Sequence, residues 1–202
     1  MAKMNQLEKF FVNSRLQYYL HRWFGFGRFL EKLPSTSYGD ILEIGAGVGF
    51  TSQLLSEKYP NARILATDFD EGSIEIAKQK KHSSNISFHQ ADATKLTLSD
   101  SQFDAAFSIL TLHHIHDFEN AIAELARIVK RDGDVYIMDM PSASFNFTHF
   151  RRNVVPGVFT KSDLIKIGER HGLKMQDCGG KYLFKLCGKK YDKPAQKICT
   201  FS

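Results

Sequence analysis

Asp40-Ile41-Leu42-Glu43-Ile44-Gly45-Ala46-Gly47-Val48-Gly49-Phe50 decides the fold of this chain. An apolar run of strand length stops at three glycines on alternate positions, and a helix-like segment over residues 51–59 follows at once. A buried strand ending in residues without side chains lets a ligand lie against backbone at the carboxyl edge of a sheet. Glu43, two places before the first glycine, adds a condition. A carboxylate there disfavours a bound pyrophosphate and suits a cationic or amino-bearing ligand.

Outward from this stretch the pattern alternates. Residues 41–45, 63–67, 86–90, 105–110 and 135–140 read as strands, and residues 51–59, 71–81 and 119–130 as helices. Ala121, Ile122, Leu125, Ile128 and Val129 form the apolar side of the 119–130 helix, and Asp132-Gly133 is expected to end it. The alternation predicts a parallel sheet covered by helices on both faces. Residues 162–171 then read as helix, and strands over 173–178 and 182–187 flank Gly179-Gly180 as a hairpin. The sheet is therefore expected to finish with an antiparallel strand. Residues 7–33 read as helix, broken or kinked at Gly25-Phe26-Gly27, and residues 34–39 as a turn-rich linker.

A length of 202 residues fits one domain, and 43% hydrophobic with 24% charged residues predicts an ordinary globular core. No apolar run approaches the roughly 18 residues that span a bilayer. Glu8 and the lack of a continuous apolar stretch near the N-terminus argue against a secretory signal. Cys178, Cys187 and Cys199 form no metal spacing and leave an odd thiol, which suits a reducing, cytoplasmic setting. The net charge of +5 is carried mainly at the two ends. Basic ends can attract anionic lipid, nucleic acid or an acidic substrate. A solvated surface is the simpler reading, with peripheral membrane contact through the termini left open.

Asp68 closes the second strand, about 20 residues beyond the glycines, where an acid can accept both hydroxyls of a ribose. The competing role, helix N-cap, is better filled by Asp70. Phe69 can offer an apolar face to adenine, and Asp92 can accept from an adenine amine while the Ala93 N–H addresses the ring. Nicotinamide binding is the nearest rival. Its fingerprint needs glycine at the sixth place of G-x-G-x-x-G, where this chain has Phe50.

Residues 41–50, Asp68, Ala91-Asp92-Ala93 and Phe103-Asp104-Ala105-Ala106-Phe107-Ser108 closely resemble the ordered motifs of class I S-adenosylmethionine-dependent methyltransferases. The resemblance covers residues 38–188, leaving an N-terminal helical cap over residues 1–37 and a polar basic tail over 189–202. It implies a doubly wound, Rossmann-like seven-stranded α/β sheet in the order 3-2-1-4-5-7-6, strand 7 antiparallel. It also implies S-adenosyl-L-methionine as cofactor. Glu43 and the backbone of Gly45, Ala46, Gly47 and Gly49 would meet the methionine end, Asp68 the ribose and Asp92 the adenine. The backbone at Leu110 and Thr111 would border the sulfonium.

The segment Ile109-Leu110-Thr111-Leu112-His113-His114-Ile115-His116-Asp117 looks like the small-molecule branch, which includes ubiquinone and menaquinone C-methylating enzymes. The Asn/Asp-Pro-Pro-Tyr tetrapeptide of amino-methylating nucleic-acid enzymes is absent, so nucleic acid is not the expected partner. The Asp and Asp-Asn set of divalent-metal O-methyltransferases is absent too, so His113, His116 and Asp117 are not expected to hold a metal. His113 or His114 is the candidate general base or orienter, because imidazole titrates near neutrality. On the acceptor side, Tyr18 and Tyr19 in the first helix, with Phe147 and Arg151 in residues 141–160, are the candidate contacts. They predict an apolar cleft with a basic mouth. Two other classes fit the same motifs: a protein that binds the cofactor without transfer, and an enzyme that modifies protein or RNA.

Overall fold

Strand β1 (Asp40–Ile44) lies inside a seven-stranded sheet, between β2 (Arg63–Asp68) and β4 (Phe103–Ile109), which explains why it carries apolar residues on both faces. Ile41 packs on one side, Leu42 and Ile44 on the other, and all three are buried. Central strands of parallel sheets read as continuous apolar runs for this reason. The structure is a computed structural model that describes residues 26–139, 159–179 and 184–191.

The elements follow as α1 (Phe26–Lys32), β1, α2 (Phe50–Lys58), β2 (Arg63–Asp68), α3 (Glu71–Gln79) and β3 (Ile86–Gln90). Then come β4 (Phe103–Ile109), a 3-10 turn (Leu112–His114), α4 (Phe118–Ile128), β5 (Val129–Asp139), α5 (Lys161–Arg170), β6 (Leu173–Asp177) and β7 (Phe184–Lys190). The strand order is β3-β2-β1-β4-β5-β7-β6. The first five strands pair in parallel, and β7 runs antiparallel to both β5 and β6. This is the expected topology.

The helices begin where polar caps allow them. Asp70 accepts the Ser73 N–H at 2.9 Å to open α3, Asp117 caps α4, and Thr160 with Asp163 forms a reciprocal capping box on α5. Ala121, Ile122, Leu125 and Ala126 of α4 join Leu164 and Ile167 of α5 over one face of the sheet. On the other face, α1 and α2 bury Phe26, Phe29, Leu54 and Leu55 against Ile41, Phe107 and Tyr136. Phe29 meets Tyr136 edge-on, with ring centroids 6.3 Å apart.

Two expectations need correcting. Helix α4 ends at Ile128 rather than at Asp132-Gly133, because Val129 already pairs with Phe103 in the sheet. Asp132 and Gly133 sit in an irregularity of β5, where the register jumps from Phe103↔Val129 to Ala105↔Asp134. A turn dipeptide there makes a bulge, not a helix stop. Gly27 likewise lies inside α1, so no break occurs at that residue. The rest of the 7–33 helix, including Gly25, lies outside the described residues.

Cys178 and Cys187 are joined in a disulfide between the end of β6 and β7, a pairing that the reducing setting inferred from the odd cysteine count does not predict. Among the described residues no helix is long and apolar enough to cross a membrane.

Candidate functional site

The carboxyl ends of β1, β2, β4 and β5 meet around the glycine loop. Gly45, Gly47 and Gly49 all have left-handed φ, 71°, 53° and 86°. At Gly45 no side chain fits, since an added Cβ would stand 2.1 Å from Thr111 Oγ1 and 2.2 Å from its Cγ2. Over Gly47 the opposite holds: a Cβ there would find no atom of the described residues within 4 Å. The loop therefore presents open space above Gly47 while its first glycine is pinned from behind. Ala46 is buried, and its N–H is bonded to the Thr67 carbonyl at 2.9 Å. Gly49 N–H returns to the Ala46 carbonyl at 2.9 Å.

Asp68 ends β2 facing this loop. Its Oδ2 accepts the Gly47 N–H and its Oδ1 the Asp70 N–H, each at 2.8 Å. Each oxygen keeps acceptor capacity, so the carboxylate can take the two hydroxyls of a ribose side by side. Burial raises its pKa, the Asp70 and Gly47 N–H groups pull it back, and the charge of Asp70 raises it again. Phe69 is half-buried beside it, its carbonyl accepting from Gln90 Nε2 at 3.1 Å. Asp92 uses Oδ1 for the Thr94 N–H at 2.9 Å and the Thr94 hydroxyl at 2.7 Å, which leaves Oδ2 for an adenine amine. Burial pushes Asp92 up, but the Thr94 groups outweigh it and hold the carboxyl below its usual value. Ala93 is buried in the core beneath.

Glu43 is fully buried under the loop and accepts from the hydroxyls of Thr51 and Ser52 in the first turn of α2, the latter at 2.5 Å. Burial pushes its pKa up to about 7, the two hydroxyls work against that, and the charge of Asp68 adds to it. A buried carboxyl raised further by the charge of Asp68 fits a ligand that brings positive charge, as a sulfonium with an α-ammonium does. The residues thus suit S-adenosylmethionine.

The Glu43 shift carries a pH dependence. Between the ordinary value of 4.5 and about 7, the folded protein keeps a proton that the unfolded chain has released. Its stabilising contribution is full below 4.5 and is lost as pH rises through about 7. The loss amounts to roughly 3 kcal/mol. Chemical denaturation without ligand should show wild type losing roughly that much more than Glu43→Gln over this range. Parallel pH slopes would contradict the assignment.

The β4–α4 connection forms the other wall. Leu110 holds φ 53°, rare for a branched side chain, with its N–H on the Met138 carbonyl at 2.7 Å. Such backbone clusters at functional sites. Thr111 is buried, its hydroxyl donating to the Ile109 and Ile44 carbonyls at 3.0 and 3.3 Å. His113 follows, with Nδ1 2.6 Å from Oδ1 of Asp139, a fully buried carboxyl at the end of β5. The carboxylate receives the Nδ1 proton and leaves Nε2 as the basic nitrogen.

Asp139 was not singled out from sequence. The available signal was an acid closing the apolar strand Val135-Tyr136-Ile137-Met138. His114 lies 3.9 Å from His113 between ring centroids and is exposed. Surrounding protein lowers its pKa, His113 lowers it further, and Asp139 opposes both. The exposed edge argues for a smaller depression than full burial would produce. Asp117 is spent on α4, accepting from Asn120 Nδ2 at 2.6 Å. Tyr18, Tyr19, Phe147 and Arg151, and with them the acceptor cleft, lie outside the described residues.

Residues 42–137 match the family described as a methyltransferase domain. The chain is 29% identical over 155 residues to malonyl-[acyl-carrier protein] O-methyltransferase of Acetivibrio thermocellus, covering 77% of this chain and 52% of that one. It is 30% identical over 114 residues to demethylmenaquinone methyltransferase of Thermus thermophilus, covering 55% and 50%. It thus spans about half the length of these curated relatives. Its structure aligns with an S-adenosylmethionine-dependent methyltransferase from Aquifex aeolicus at a TM-score of 0.74 and 20% identity, over 93% of this chain and 100% of that one. Residues 42–137 thus match a methyltransferase domain, on a fold shared with solved S-adenosylmethionine-dependent methyltransferases.

Proposed function

We propose that this protein transfers a methyl group from S-adenosylmethionine to a small molecule whose reacting atom must lose a proton, with His113 as the base. The observation that carries this reading is the His113–Asp139 pair, two residues beyond Thr111, which packs against Gly45. The relative named for demethylmenaquinone supports a small acceptor, and the one named for malonyl-[acyl-carrier protein] supports a small acyl group, there carried on a protein.

Bound S-adenosylmethionine supplies a methyl group already activated on a sulfonium. The chain's own residues then have limited tasks. Asp68 and Asp92 fix the nucleoside, and the Gly45–Gly49 backbone with Glu43 beneath it holds the methionine end. His113 Nε2 takes the acceptor's proton as the new bond to carbon forms, while Asp139 keeps the ring in the right tautomer and orientation. Alignment does most of the work, which leaves the acceptor to be chosen by the surrounding surface.

Methyl-labelled S-adenosylmethionine, incubated with the protein and a cell extract, tests this directly. Label should appear in the low-molecular-weight fraction. Label in protein or RNA would support the polymer-modifying alternative, and binding without transfer would support a non-catalytic role.

A further inference from the structure

At the β3 edge of the sheet, away from the His113 side of the site, the connection from α3 to β3 carries Lys80 and His82 inward. The Lys80 ammonium is buried 4.3 Å from the centre of the Phe50 ring and has no hydrogen-bond partner among the described residues. Both ring nitrogens of His82 are buried, and no described residue meets them at full hydrogen-bond geometry, the Ala77 carbonyl acting on the ring only weakly. The His82 ring rests on Phe88, with centroids 4.8 Å apart. Gly49 makes room for the pair, since a Cβ there would stand 2.8 Å from His82 Cε1 and 2.7 Å from Phe88 Cζ. His82 is thereby held in place by packing, not by hydrogen bonds.

Buried polar groups are normally satisfied, and a buried ammonium needs an acceptor more than most. Phe50 offers the lysine a cation–π contact, which does not replace a hydrogen bond. Burial lowers the pKa of both groups, and in His82 the charge of Lys80 adds to that while the Ala77 carbonyl opposes it. They repel each other and share no acid.

Both residues line one cleft of about 440 Å³. Its lining also holds Lys78 and His89 but no Asp or Glu. Ser83 and Ser87 belong to it too, yet their hydroxyls are engaged with Gln53 and the Ile64 carbonyl. The unmet donors are those of Lys80 and His82.

We propose that this cleft binds a phosphoryl group, held between the Lys80 ammonium and the His82 imidazole over the Phe88 ring. An anion answers the unpaired ammonium. Two donors from different positions, inside a lining that carries Lys78 and His89 and no acid, suit a tetrahedral dianion better than a planar monoanion. The site lies behind Gly49 and does not depend on the acceptor proposed above.

Inorganic phosphate is the probe, titrated into the full chain at constant ionic strength while the imidazole signals are followed by NMR. The His82 signal is identified by its loss in His82→Gln. It should shift saturably with phosphate, and Lys80→Gln should weaken the apparent Kd about tenfold or more, as loss of a charge-assisted bond does. Lys80→Arg, which keeps the charge, should retain binding within about threefold. Lys78→Gln, the same charge change on the rim, should cost less than about twofold. Acetate should bind at least about tenfold more weakly than phosphate. Absence of a saturable His82 shift would overturn the proposal. So would equal losses in Lys78→Gln and Lys80→Gln, which would mean diffuse attraction, or equal binding of acetate, which would mean a carboxylate site.

Discussion

Gly45→Ala is expected to abolish measurable S-adenosylmethionine binding and to destabilise the fold by about 2–5 kcal/mol, combining left-handed strain with overpacking. The left-handed φ of 71° is one part. The larger part is Thr111, whose Oγ1 and Cγ2 lie 2.1 and 2.2 Å from the new Cβ. Thr111 is short, β-branched and hydrogen-bonded to two carbonyls, so it cannot swing aside as a long side chain would. The loop must move instead. Gly47→Ala separates stability from binding. Its φ of 53° costs about 1 kcal/mol, and its Cβ meets no atom of the described residues within 4 Å. That methyl occupies the space assigned to the cofactor, so binding should fall sharply in a protein that denatures almost normally. Calorimetry beside urea denaturation checks both. Wild-type affinity in Gly47→Ala would remove the loop from the site.

His113→Ala should lower kcat by about 10²–10⁴-fold, the usual contribution of a positioned general base. Cofactor binding should be unchanged, because the side-chain bond of His113 runs to Asp139 at the end of β5. Asp139→Asn should cost on the order of a hundredfold, since an amide cannot fix the same tautomer. His114→Ala should stay within about threefold of wild type, because its residue is exposed and makes no comparable pair among the described residues. Single-turnover transfer to an identified acceptor separates these cases. Full turnover by His113→Ala would end the base assignment.

The places of Glu43, the glycine loop, Asp68 and Asp92 were legible because each lies near the end of its strand or just beyond it. Strand type and position alone bring them to the carboxyl edge. Asp70 as the cap of α3 was legible for the same local reason. Asp139 was not, because its meaning comes from His113, 26 residues away on a different strand end. The onset of β5 was misjudged where Asp132-Gly133 made a bulge instead of a turn. Lys80 and His82 look like an ordinary polar connection in sequence, and only packing against Phe50 and Phe88 shows them to be buried.

The central claim is that this chain holds S-adenosylmethionine through Asp68 at the end of β2. Calorimetric titration of S-adenosylmethionine and S-adenosylhomocysteine into wild type and Asp68→Ala tests it most directly. The account predicts binding to wild type and a loss of about 2–3 kcal/mol or more in the variant, where two hydroxyl-to-carboxylate bonds disappear. Failure of wild type to bind either ligand, or equal binding by both proteins, would contradict it.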